Sequence, residues 1–122
     1  MRKVPDAGEA GKAVDAGDAG NAKVVQIGVG PTGEHTFIPP SLTVPVGTTV
    51  QWFWYSSGHN VISGAGGVPD NKFCSPNNNA CATAPTSTFG STFEHTFTAP
   101  GTYPYFCAPH YSVGMKGTIT VQ

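Results

Sequence analysis

The fold is decided by residues 101–121, which read GTYPYFCAPHYSVGMKGTITV. Side chains alternate over Thr102–Phe106, and a second alternating segment follows at residues 117–121. Alternation with a period of two predicts β-strands rather than helices. Between the two segments lies a short loop that Pro109 stiffens and in which Gly114 permits a tight turn. The stretch therefore predicts two strands joined by a constrained loop.

Segments of the same kind recur along the chain without any helical period. The clearest is Thr48–Tyr55, in which Val50, Trp52 and Trp54 share one parity and are expected to face a core. The other predicted strands are Lys23–Val29, Thr36–Val44 with prolines that confine it to a sheet edge, His59–Ser63 and Thr92–Thr98. Residues 64–91 form a long loop with clusters of Gly, Pro and Asn. Several short strands without helices indicate an all-β sandwich.

The loop carries side chains that bind metals. Cys107, His110 and Met115 lie within nine residues of one another, and His59 precedes Cys107 by 48 residues. Thiolate and thioether are soft ligands that suit copper(I), and imidazole suits both copper(I) and copper(II). The set therefore predicts one type 1 copper ion, bound strongly by His59, Cys107 and His110 and weakly by an axial Met115.

Residues 101–117 resemble the copper loop of the plastocyanin-like cupredoxins, the type 1 blue copper proteins, in their bacterial form. The tetrapeptide Gly58-His-Asn-Val61 is similar to the first ligand segment of that family. The resemblance implies an eight-stranded Greek-key cupredoxin β-sandwich over residues 23–122, with copper at one end. It also implies that the Asn60 amide holds the ligand loop against the adjacent strand. Phe106 departs from the plant-type pattern, which has a surface tyrosine there, and no acidic cluster is present for docking.

The predicted function is one-electron transport between copper(I) and copper(II). Electrons are expected to pass through the solvent edge of His110, which is framed by Pro109, Tyr111 and Val113. Transient redox encounters use small interfaces, and this rim is apolar and uncharged. The expected partners are therefore other redox proteins.

Two other function classes also use copper ligands of this kind. A module that binds and delivers copper without carrying electrons usually exposes Met- and His-rich ligands, and this chain has one Met besides Met1. A detached domain of a multicopper oxidase or nitrite reductase needs further His ligands, and only His35 and His95 are left. Neither of these lies at the ligand spacing or is expected to touch copper. No carboxylate pair or Ser-His-Asp arrangement is visible, so we expect no enzymatic activity.

Composition limits the other function classes. The 122 residues leave room for one domain. Charged residues make up 11% of the chain and the net charge is −1, which argues against nucleic-acid binding. No apolar stretch approaches the length of a transmembrane helix. We expect a monomer.

The remaining two of the three cysteines are Cys74 and Cys81. The spacer between them, Ser-Pro-Asn-Asn-Asn-Ala, is rich in turn formers, so the two ends can meet. The alternative is a pair of free surface thiols. We expect a disulfide that ties down the 64–91 loop, and hence a periplasmic or other extracytoplasmic location.

The first 22 residues differ from the rest. Positions 6–23 read as the triplets DAG, EAG, KAV, DAG, DAG and NAK, and their repeated glycines oppose a helix. This pattern predicts a flexible tether over residues 1–22, suited to attachment to a membrane anchor or to a neighbouring domain. No apolar signal-peptide core is present, so we expect the targeting segment of an exported protein to have been removed.

Overall fold

Residues 23–122 are the part of the chain that the computed structural model describes, and the predicted tether of residues 1–22 lies outside it. Within this part, eight strands form two four-stranded sheets. The strands are β1 Val24–Val29, β2 Phe37–Ile38, β3 Ser41–Val44, β4 Thr49–Trp54, β5 Ile62–Ser63, β6 Thr92–Thr96, β7 Gly101–Phe106 and β8 Lys116–Val121. Short 3-10 turns occupy Pro31–Gly33, Cys81–Thr83 and Ala108–Val113. The predicted all-β, eight-stranded sandwich is confirmed.

The topology gathers several loops at one end of the sandwich. The first sheet has the order β2-β1-β4-β6, and the second has the order β3-β8-β7-β5. Strands β1 and β4 are parallel, with Val29 opposite Trp54, so the loops that follow them leave the sheet side by side. In the second sheet, β7 and β8 are antiparallel. The loop between them joins Phe106 to Lys116, which are opposite each other in the two strands.

Large aromatic side chains fill the space between the sheets. Trp52 and Trp54 are fully buried, as their parity in β4 predicts. The Trp52 ring lies 5.4 Å from the Tyr105 ring and 5.6 Å from the Phe73 ring. Such rings bury large apolar areas, and the Trp52 and Tyr105 rings meet edge-to-face. They give the ligand-bearing loops a rigid platform.

Two segments differ in detail from their sequence patterns. The predicted strand His59–Ser63 is shorter, because His59 pairs with Ser87 in an isolated bridge and only Ile62–Ser63 joins the sheet ladder. The 64–91 loop is long but ordered around the Cys74–Cys81 disulfide, which confirms the predicted bridge. No helix in residues 23–122 has the length and apolar character that crossing a membrane requires.

Candidate metal centre

Three ligand atoms converge at the end of the sandwich where these loops meet. His59 Nδ1 lies 3.2 Å from His110 Nδ1. Cys107 Sγ lies 3.5 Å from His110 Nδ1 and 3.9 Å from His59 Nδ1. These residues form one group whose ligand atoms could share a metal ion. The structure therefore brings together three side chains that the sequence separates by up to 51 positions.

The spacing fits a single ion in a trigonal set. Nitrogen and sulfur ligands lie about 2.0–2.3 Å from a first-row metal ion, so three of them around one ion are about 3.5–3.8 Å apart. The observed separations of 3.2, 3.5 and 3.9 Å bracket that range. Two imidazoles and one thiolate in a trigonal arrangement are typical of blue-copper sites.

His59 is held by its backbone as well as by its neighbours. It follows Gly58, whose φ of 89° lies in the left-handed region that favours glycine. The His59 carbonyl oxygen accepts hydrogen bonds from Trp54 Nε1 at 2.8 Å and from the Ser87 backbone N–H at 2.9 Å. The His59 side chain is only 2% exposed. The hydrogen bond from a core tryptophan therefore fixes the backbone position of His59.

The loop between β7 and β8 closes on itself. The His110 N–H donates to the Cys107 carbonyl at 3.2 Å, and the Met115 N–H donates to the His110 carbonyl at 3.2 Å. The Cys107 N–H donates to the Met115 carbonyl at 3.0 Å. Gly114 has a φ of 91°, in the left-handed region, and this conformation lets the loop turn back into β8. Met115 is fully buried in the same apolar cluster as Cys107.

The Asn60 side chain joins three segments of the site. Its Nδ2 donates to the Ala84 carbonyl at 3.1 Å, and its Oδ1 accepts the Ala108 N–H at 2.8 Å. Asn60 itself is buried beside His59. The 64–91 loop and the ligand loop are thus both anchored to the residue that follows the first predicted ligand.

In the metal-free protein, the pKa shifts of the site favour neutral imidazoles and a protonated thiol. Burial lowers the pKa of His59, and the neighbouring His110 and His35 lower it further. Burial and His35 also lower the pKa of His110. Burial raises the pKa of the Cys107 thiol, while backbone hydrogen bonds from Asn60 and His110 act in the opposite direction. Neutral imidazoles keep a lone pair for a metal, and a coordinating thiol loses its proton.

His35 was not expected at the site, but its ring stacks on a predicted ligand. The ring centroids of His35 and His110 are 3.8 Å apart and the planes differ by 12°. His35 is exposed and also lies edge-on to His59, with centroids 5.9 Å apart. It is not one of the three clustered ligands. His95 lies elsewhere, stacked on Phe73 at 4.9 Å.

The outer surface of the ligand loop is apolar. Val113 is 64% exposed, and Pro109 is also exposed, whereas His110 is half-buried. The ring of Tyr111 lies edge-on to the ring of Phe106, with the two centroids 5.6 Å apart. Phe106 is buried in a second apolar cluster with Ile62 and the Cys74–Cys81 disulfide. Pro109 and Val113 are therefore the rim residues that face solvent most fully.

Comparisons with known proteins agree with this architecture. A sequence model of the copper binding proteins of the plastocyanin/azurin family matches residues 23–122. Plastocyanin of Scenedesmus fuscus is 37% identical over 94 residues, which cover 75% of this chain and 91% of that protein. Halocyanin of Natronomonas pharaonis is 37% identical over 101 residues, which cover 81% of this chain and 55% of that protein. The structure of a purple cupredoxin from Nitrosopumilus maritimus superposes with a TM-score of 0.63 at 31% identity, covering 84% of this chain and all of that one.

Proposed function

The chain belongs to the plastocyanin/azurin family of copper-binding proteins, and on that premise we propose that its one type 1 copper ion is bound by His59, Cys107, His110 and Met115. Bound copper supplies one-electron chemistry by alternating between copper(I) and copper(II). The chain is accordingly an electron carrier. The observation that carries the assignment of His59, Cys107 and His110 is the convergence of the two Nδ1 atoms and the Cys107 sulfur within 3.2–3.9 Å. Met115 is assigned because it ends the same loop and is buried in the same apolar cluster as Cys107.

The protein's contribution is to hold these ligands still. Cys107, His59 and Met115 are buried, and the loop that bears three of the four is closed by its own backbone hydrogen bonds. A ligand set fixed in advance needs little rearrangement when an electron arrives or leaves. Burial also opposes copper delivery as the function, because a delivery protein must present its ligands to an acceptor. The geometry therefore favours a carrier.

We propose that electrons enter and leave at the exposed edge of His110. His59 and Cys107 are each at most 2% exposed, so His110 is the ligand of the trigonal set that reaches the surface. The rim of Pro109, Tyr111 and Val113 includes no charged side chain, which suits brief contacts with redox partner proteins over a small apolar interface. His35 adds a second imidazole beside this edge.

We further propose that the protein is monomeric, catalyses no reaction of its own and works outside the cytoplasm, attached through residues 1–22. The Cys74–Cys81 disulfide supports this location, because such bridges persist in oxidising compartments. Fractionation of cells that make the protein tests the location, and a cytoplasmic product with free thiols would refute it. Sedimentation of the copper-loaded protein tests the monomer.

An optical spectrum tests the ligand set directly. The copper(II)-loaded protein should show an intense visible thiolate-to-copper band, and Cys107→Ser should abolish it. The double variant Cys74→Ser/Cys81→Ser is the matched control, since it removes the other two cysteine sulfurs and should keep the band. If Cys107→Ser keeps the colour, the assignment is wrong.

A further inference from the structure

Ser56 contacts the far side of the His59 ring, away from the proposed copper position. It lies in the turn after β4, three residues before His59. Its hydroxyl oxygen is 2.8 Å from the Gly30 carbonyl oxygen and 3.0 Å from His59 Nε2. The hydroxyl thus links the loop after β1 to the first predicted ligand.

The protons in this chain of contacts can be placed. A carbonyl oxygen only accepts, so the single Ser56 hydroxyl proton is donated to Gly30. The Ser56 oxygen then has only acceptor capacity left for His59, and Nε2 must be the nitrogen that carries hydrogen. His59 Nδ1 is left with a bare lone pair, and it is the atom that faces Cys107 and His110.

We propose that Ser56 is a positioning residue that fixes His59 in the Nε2–H tautomer and aims its Nδ1 lone pair at the metal position. This inference rests on the proposed ligand set and adds a residue that the set does not contain. Since His59 is 2% exposed, its N–H needs an acceptor within the protein. The hydroxyl supplies that acceptor.

Gly30 is shaped for the same contact. Its φ of 64° is left-handed, and a Cβ at this position would collide with Ser56 Oγ and with the His59 ring. Its own N–H donates to the Thr36 carbonyl at 2.9 Å, which holds the accepting carbonyl in place. Both the backbone conformation and the space therefore exclude a side chain where Ser56 and His59 meet.

An acceptor on the distal N–H makes an imidazole a better metal ligand. Losing such a partner typically reduces metal affinity by about 10- to 100-fold. A weaker nitrogen donor harms copper(II) more than copper(I), so the reduction potential should rise. Each tenfold loss of copper(II) affinity relative to copper(I) corresponds to about 59 mV.

The test compares Ser56→Ala with Ser57→Ala. The Ser57 hydroxyl accepts the Phe89 N–H at 2.9 Å in the same turn, so its removal deletes one hydrogen bond without touching His59. Nitrogen-15 NMR of the metal-free proteins reads the His59 tautomer, chelator competition reads copper(II) affinity, and voltammetry reads the potential. Ser56→Thr and Ser56→Val form a second pair that differs only in the hydroxyl.

We expect the Nε2–H tautomer in the wild type, in Ser57→Ala and in Ser56→Thr. Ser56→Ala and Ser56→Val should lose this single tautomer, bind copper at least tenfold more weakly and show a raised potential. A wild-type His59 with hydrogen on Nδ1, or equal affinities in Ser56→Ala and Ser57→Ala, would overturn the role of Ser56. Loss of the visible band in Cys107→Ser alongside that result would leave the ligand set standing, so the two failures are distinguishable.

Discussion

Replacing Asn60 with Ala should cost about 2 kcal/mol of unfolding free energy and loosen the copper site. The side chain makes two hydrogen bonds, one to the Ala84 carbonyl and one from the Ala108 N–H. A hydrogen bond contributes about 1 kcal/mol net, which gives the total. For a domain of this size, the corresponding fall in melting temperature is roughly 8–16 °C.

The unfolding measurement should use metal-free protein, because bound copper would add its own binding free energy to the apparent stability. Tyr103→Phe is the matched control. The Tyr103 hydroxyl donates to the Ala99 carbonyl at 2.7 Å, at the end of β7 opposite to Cys107. Its loss should cost roughly 0.5–1.5 kcal/mol and leave the copper(II) spectrum unchanged.

The copper(II) spectrum distinguishes an Asn60 side chain that holds the ligand loop from one that contributes to stability alone. Asn60→Ala frees the ligand loop at Ala108, next to the Cys107 thiolate, so the visible band should shift or broaden. A stability loss no greater than that of Tyr103→Phe, together with an unaltered band, would refute the reasoning that Asn60 holds the ligand loop.

The remaining predictions concern the proposed axial ligand, the disulfide and a half-buried histidine. Met115→Leu removes electron donation to copper(II) and should raise the reduction potential, whereas Met115→Gln offers a harder oxygen and should lower it; a voltammogram unchanged in both would remove Met115 from the ligand set. The double variant Cys74→Ala/Cys81→Ala opens a loop of seven-residue separation and should lose about 2–3 kcal/mol in denaturant unfolding on the chain-entropy model; no loss would contradict that model. Burial lowers the pKa of His95 below 6.5, so its unfolded form takes up a proton first, and stability should fall as the pH drops below that value. In copper-loaded protein, His95→Gln should flatten this decline, and identical pH profiles would show that His95 does not cause it.

The sequence predicts the local parts of this protein well. The β7–β8 loop and three of the four proposed ligands occupy one short stretch, so their proximity is set by chain connectivity alone. The alternation in β4 places Trp52 and Trp54 correctly, because a strand with one buried face must present every second residue to it. The Cys74–Cys81 bridge follows from a short spacer of turn-forming residues.

The long-range parts could not be predicted in the same way. Side-chain alternation marks a strand without naming its neighbour, and nothing in residues 24–29 indicates a parallel pairing with β4. That pairing places the loop after β1 beside the loop after β4. It thereby brings Gly30 to Ser56 and allows His35 to stack on His110. Both contacts depend on the sheet order rather than on any local motif.

The buried position of Phe106 has a consequence for electron transfer to and from partner proteins. The strand that leads to Cys107 is covered on its outer side by the disulfide-tied loop, so Phe106 is only 3% exposed. If the proposed His110 edge is the route for electrons, donor and acceptor proteins must use the same surface and cannot bind it at the same time. The protein must then dissociate from the donor before it binds the acceptor. Each electron transferred requires two separate encounters. Quick dissociation becomes a functional requirement, and the slower of the two departures sets the ceiling on flux.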